Sequence, residues 1–125
     1  MGTVNRVVLI GRLGRAPEMR YTSEGQAITR FSLATDRPAK AGTEHEADWH
    51  QVVSFGKVAE FAGQYLDRGR LVCVVGRITY RSWDGRDGQT RRATEIIASE
   101  VVALDHKPNA DGDEPSSEGN DEAIR

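Results

Sequence analysis

At 125 residues the chain has room for one domain and a tail but not for two ordinary domains. Its 38% hydrophobic and 29% charged residues suit a soluble globular protein with a modest core, and no stretch nears the ~18 apolar residues of a membrane span. The formal net charge of −2 conceals an uneven distribution: residues 1–108 hold 16 basic and 13 acidic side chains, and an acidic segment follows. Cys73 is the single cysteine, which excludes an intrachain disulfide and a multi-cysteine metal site and makes a reducing cytosol the simplest home. The first residues, Met1 to Arg6, run straight into a strand pattern without a signal-peptide apolar region.

In chain order, Val4 to Leu13 reads as a strand apolar on both faces in its middle, with Gly11 and Gly14 marking a bend or a close backbone approach. Ala16-Pro17 stops it, and Met19-Arg20-Tyr21 is a short continuation. After the turn Ser23-Glu24-Gly25, Ala27 to Thr35 forms a second strand with Phe31 and Leu33 on its apolar face. Arg37 to Glu46, with Pro38, Lys40 and Gly42, reads as a flexible loop. Asp48 to Gly56 is the third strand.

The period then changes. Val58, Phe61, Ala62, Tyr65 and Leu66 share one face of an amphipathic helix over Lys57 to Arg68, with Gly69 placed for a left-handed cap. Arg70 to Trp83 is a long strand, Asp84-Gly85 and Asp87-Gly88 a hairpin loop, and Thr90 to Leu104 the last strand. The expected fold is all-β with one helix: a five-stranded OB-fold barrel, the helix lying between strands 3 and 4. It occupies residues 1–108, and residues 109–125, which have almost nothing to bury, form a disordered acidic tail.

The third strand carries the most information. Trp49, Gln51, Val53 and Phe55 share a face, and the two aromatics stand roughly 20 Å apart at about 3.3 Å per residue. A large aromatic at each end of a partly polar face makes a poor core, but a good platform for stacking unpaired bases, each stack worth about 1–3 kcal/mol. On the fourth strand Val72, Val74, Ile78 and Tyr80 take the core face, leaving Arg77, Thr79, Arg81 and Trp83 on the other. Arg86, Arg91 and Arg92 around the hairpin loop extend the same positive track, although each alone reads as solvated charge. Thirteen of the 16 basic residues in 1–108 are arginines, which both grip phosphate and stack on rings.

Nothing in the pattern asks for catalysis, a metal or a cofactor. His45 and His50 are not spaced as a ligand cluster, His106 stands at the end of the domain, and no Gly-rich phosphate loop with a trailing Lys is present. His50 points away from the stacking face, into the core or a subunit contact. Cys73 reads as a small strand residue.

These segments together resemble the bacterial single-stranded DNA-binding proteins. The resemblance rests on Asn5 to Gly14, Pro17 to Tyr21, Phe31 to Thr35, Trp49 to Lys57, Tyr65 to Gly69 and Gly76 to Trp83, in order, from about Thr3 to Leu104. It implies a homotetramer of OB-folds with single-stranded DNA wrapped over it, acting in replication, recombination and repair in the cytoplasm at the nucleoid. It assigns base stacking to Trp49, Phe55 and Trp83, and basic contacts to Arg6, Arg20, Lys57 and Arg81. The family often has a further stacking aromatic near Arg37-Pro38-Ala39. None stands here, and Arg37 and Lys40 are the candidate compensating phosphate contacts.

Family tails commonly end in an acidic tip with a terminal Phe that docks on partner proteins. This chain ends Asn120 to Arg125 without an aromatic, which counts against recruitment of replication and repair proteins through such a tip. Two other classes stay open. An OB-fold adapter in a replication-restart or recombination complex would use the three aromatics as a protein interface, and an RNA-binding module would stack bases equally well.

Overall fold

Period-two alternation of apolar side chains produces nearly all of the ordered structure, which is a computed structural model describing residues 2–38 and 46–105. Lys40 and His45, and with His106 the whole expected tail, lie outside the described residues. The elements are β1 (Val7–Leu13), β2 (Glu18–Tyr21), β3 (Ala27–Arg37), β4 (Glu46–Phe55), α1 (Gly56–Tyr65), β5 (Leu71–Asp84) and β6 (Thr90–Ala103).

The strands hydrogen-bond in the order β1-β5-β6-β4-β3-β2. A further pairing of β1 with β3, Arg12 opposite Ala34 and Leu13 opposite Leu33, closes five of them into a ring. The β4–β6 joint is parallel and short, running from Gln51 opposite Glu95 to Val53 opposite Ile97, while the other pairings are antiparallel. This is the OB-fold plan with one adjustment. Met19 to Tyr21 does not continue β1: past the Ala16-Pro17 break the chain pairs with β3 as a separate strand, Glu18 opposite Arg30. The helix therefore follows the fourth of six strands, although the ring itself has five.

Leu13, Phe31, Leu33, Val52, Val72, Val74 and Ile96 fill the inside of the ring, and Ala62 and Leu66 bring the helix onto it. A buried hydroxyl ties this joint together, Thr29 Oγ1 on β3 donating to the carbonyl of Ala59 at 2.6 Å, and a second, Ser54 Oγ on β4, donates across to the carbonyl of Thr29 at 3.3 Å. Two glycines mark where strands meet too closely for a side chain. A Cβ on Gly11 would strike the Ala34 carbonyl at the β1–β3 closure, and one on Gly76 would strike the Ile97 carbonyl beside the β5–β6 bulge.

Three expectations are corrected. On the helix, Ala62 and Leu66 of the expected stripe are buried and Phe61 packs against the core, but Tyr65 is exposed and Ala59, outside the stripe, is buried. Small residues let the helix lie close to the barrel, so the ring of Tyr65 sits at the margin against Phe61, 5.6 Å away between centroids. Gly69 has the left-handed φ of +84° but does not cap the helix. The helix ends at Leu66 in extended backbone, and Gly69 serves the following turn, donating to the Leu13 carbonyl at 2.8 Å.

Tyr80, placed on the core face by alternation, is 75% exposed. Beyond Ile78 the β5–β6 pair extends to Asp84 and Thr90 as a two-stranded ribbon, so its nominal inner face has nothing to pack against.

Candidate nucleic-acid interface

Register assembles the outer face of β2, β3, β4, β6 and β5 row by row. One row runs Arg20, Ile28, Phe55. The next runs Glu18, Arg30, Val53, Ile97, Arg77, and the third Ser32, Gln51, Glu95, Thr79. Trp49, opposite Ala34, follows at one end of β4, and Arg81 and Trp83 continue along β5 onto the ribbon.

All three candidate stacking residues stand in the open on this face, Trp49 at 58%, Phe55 at 40% and Trp83 at 41% exposure. Trp49 rests on the backbone at the end of β1, where a Cβ on Gly14 would collide with Cζ3 and Cη2 of the indole. That end of the ring is thus seated by the protein, while the residue as a whole remains exposed. The guanidinium of Arg81 lies over Trp83, 4.6 Å from the ring centroid. That arrangement is worth about 0.5–1 kcal/mol at an exposed site and holds the indole in one orientation.

Val53 faces outward in the alternation but is only 2% exposed. Arg30 on β3 accounts for this: its Nη1 meets Glu95 Oε2 on β6 at 2.9 Å, so the side chain crosses β4, which lies between them. Arg81 Nη2 meets the same oxygen at 3.2 Å. The result is an ionic strap over four strands, Arg30–Glu95–Arg81, continued by the stack on Trp83. Burial pushes the Glu95 carboxyl up, but the hydrogen bonds and charges of Arg81 and Arg30 outweigh it and hold the group below the usual carboxylate range.

The remaining basic candidates are distributed unequally. Arg20 and Arg77 are exposed on the outer face, Arg86 at the hairpin tip and Lys57 in the first turn of the helix directly after Phe55. Arg6 is exposed one residue before β1, next to Asn5, whose amide exchanges hydrogen bonds of 2.8 and 2.9 Å with the backbone of Ile78.

Arg37 is not brought to this face. It shares the parity of Phe31, Leu33 and Thr35, and it is already engaged with Glu46 at 2.8 Å and Asp48 at 2.6 Å. Glu46 and Asp48 therefore act as ion partners of Arg37. His50 also lies on the inner parity, half-buried, with Nε2 2.8 Å from Thr35 Oγ1.

Arg30, Glu95 and Gly14 join the site only in the folded chain. The first two carry a readable signal in principle. Arg30 alternates out of phase with Phe31 and Leu33, and Glu95 with Ile96 and Ala98. Only their meeting across β4 depends on the fold. Two open clefts of about 330 and 260 Å³ flank Arg30, the first with Arg20 and Ile28, the second with Arg15, Ser32 and Gln51. Among the described residues no three His, Cys, Asp or Glu side chains gather as a metal set, and no helix is long and apolar enough to cross a membrane.

Residues 4–104 match the model of the single-strand binding protein family. A single-stranded DNA-binding protein of Neisseria meningitidis serogroup A is 42% identical over 120 residues, covering 94% of this chain and 69% of the relative. The single-stranded DNA-binding protein of Thermotoga maritima is 41% identical over 111 residues, covering 86% and 79%. Among solved structures, a Plasmodium falciparum SSB in complex with ssDNA superposes with a TM-score of 0.77 at 30% identity, covering 84% of this chain and 98% of that one.

Proposed function

The chain belongs to the single-strand binding protein family, and on that premise we propose that its outer face binds single-stranded DNA without regard to sequence, in replication, recombination and repair. The observation that carries this reading is the exposure of Trp49, Phe55 and Trp83 on one face interleaved with Arg20, Arg30, Arg77 and Arg81. Unpaired bases present two faces to such rings, whereas paired bases are already stacked, and the arginines follow the phosphates between them. The chemistry is that of a binder, not of an enzyme: the groups on the face offer stacking and charge. Arg6, Lys57 and Arg86 extend the basic track at its margins, and Arg37 is left out of it by its two carboxylates.

The working assembly is a homotetramer, and the outer side of β1 supports this. Val8 and Ile10, opposite Val75 and Cys73, are each 57% exposed, an apolar strip beside the β5 strand that an isolated barrel leaves wet. The place of action is the cytoplasm, at the nucleoid.

Tryptophan fluorescence during titration with oligo-dT, oligo-rU and duplex DNA tests the function. Strong, salt-sensitive quenching by oligo-dT with little response to duplex is the expected result. A folded protein that neither binds nor quenches would turn the three aromatics into a protein interface and leave the adapter reading in its place. Equal or stronger binding of oligo-rU would move the site to RNA.

A further inference from the structure

A buried carboxylate stands near the middle of a face fitted for a polyanion, on which the exposed Glu18 lies at the β2 edge, opposite Arg30. Glu95 shares its row with Ser32, Gln51 and Thr79, all uncharged, so nothing in that row supplies its counter-charge. It finds its partners diagonally, in Arg30 and Arg81. Its side chain is 8% exposed while those of the two arginines are 51% and 49% exposed, so the anion lies beneath and the cations above.

Each arginine spends one nitrogen on Glu95, Arg30 its Nη1 and Arg81 its Nη2. A guanidinium carries five N–H donors, so both keep donors for a second partner, and Arg30 borders both clefts. The three groups together nevertheless amount to one positive charge, not two.

Resting on the single-strand reading above, we propose that Glu95 is a built-in counter-charge that limits the grip of Arg30 and Arg81 on the phosphates of a bound strand. The salt dependence of binding a polyanion follows the number of phosphates neutralised, about 0.7 in log–log slope for each on a single strand. An arginine already shared with a carboxylate neutralises less, so the strap contributes one phosphate equivalent. Binding then leans more on stacking, which tolerates every base, and the strand leaves more readily. Because its two partners keep Glu95 ionised, the counter-charge is permanent at neutral pH.

A carboxylate that merely held the arginines in place would have the opposite consequence, since freeing them would weaken the phosphate contacts. The test is the slope of log affinity against log salt for oligo-dT, with wild type, Glu95→Gln and Arg30→Gln compared and thermal melts confirming that each is folded. Glu95→Gln should steepen the slope by about 0.7, so that its advantage over wild type shrinks about two- to threefold from 50 to 200 mM salt. Its release to a competitor oligonucleotide should be slower. Arg30→Gln keeps the neutral Glu95–Arg81 pair and should flatten the slope by about 0.7, the whole contribution of the strap, so that adding Arg81→Gln flattens it no further. A second loss of about 0.7 would overturn the inference even where Glu95→Gln fails to fold. An unchanged or shallower slope in a folded Glu95→Gln, or no change in Arg30→Gln, overturns the inference alone. Failure of the wild-type protein to bind oligo-dT overturns the function together with it.

Discussion

Arg81 lies over the ring of Trp83 with its guanidinium carbon 4.6 Å from the centroid, while its Nη2 reaches Glu95 at 3.2 Å. One face of the indole is therefore occupied by the protein. On the proposed function, truncating Arg81 removes a phosphate contact together with this ring support. Arg81→Ala should flatten the salt dependence of oligo-dT binding by about 0.7 in log–log slope and should also alter the emission of Trp83 in the free protein. An unchanged slope removes Arg81 from the backbone track.

Trp49 stands 58% exposed, so its loss leaves no cavity. Trp49→Ala should weaken oligo-dT binding by about 1–3 kcal/mol while the melting temperature stays close to that of the wild type. Unfolding of the variant would show that the ring stabilises the barrel instead.

Gly14 seats that ring, and a methyl group there would meet Cζ3 and Cη2. Gly14→Ala should displace the indole rather than the backbone, because the exposed ring is free to swing outward. We expect a stability loss at the low end of the ~1–3 kcal/mol range for overpacking, together with weaker fluorescence quenching by oligo-dT. Quenching identical to wild type would mean that the seat of Trp49 does not matter to stacking.

Ile10 and Val8 expose apolar surface beside Cys73 and Val75. Ile10→Asp places a charge there and should reduce the assembly measured by sedimentation velocity, with the far-ultraviolet circular dichroism of the barrel retained. Assembly unaffected by the aspartate would place the subunit contact on another surface.

The Glu95 carboxyl is held below its ordinary value of 4.5 in the folded protein, since the pull of Arg81 and Arg30 outweighs the upward push of burial. A carboxyl with a depressed folded pKa binds protons more weakly folded than unfolded. Its contribution to stability is therefore complete above 4.5 and is lost as pH falls through the lower folded value. Urea unfolding at pH 7, 4.5 and 3 should show wild type losing more stability on acidification than Glu95→Gln does, with no Glu95-dependent change between pH 6 and 8. Equal losses in the two proteins would mean that the strap does not depend on the carboxylate charge.

Much of this molecule was legible in the sequence because strand alternation is a local property. It placed Phe31 and Leu33 inside and Trp49, Phe55, Arg77, Arg81 and Trp83 outside, and a helix-period stretch after Phe55 located α1. The errors came where alternation ran past its support. Tyr80 keeps the core parity, but the sheet has narrowed to a ribbon there and the inner side is solvent. Val53 keeps the outer parity but is covered, because Arg30 reaches across it.

Side-chain parity, the strand and helix periods and the mixture of aromatics with arginines were thus determined by the sequence alone. Closure of β1 on β3, the seating of Trp49 on Gly14 and the meeting of Arg30, Glu95 and Arg81 were decided only by the tertiary structure. The reason is separation along the chain. Alternation follows from each residue and its immediate neighbours, whereas Arg30 and Glu95 are 65 positions apart and become partners only once β4 is inserted between β3 and β6.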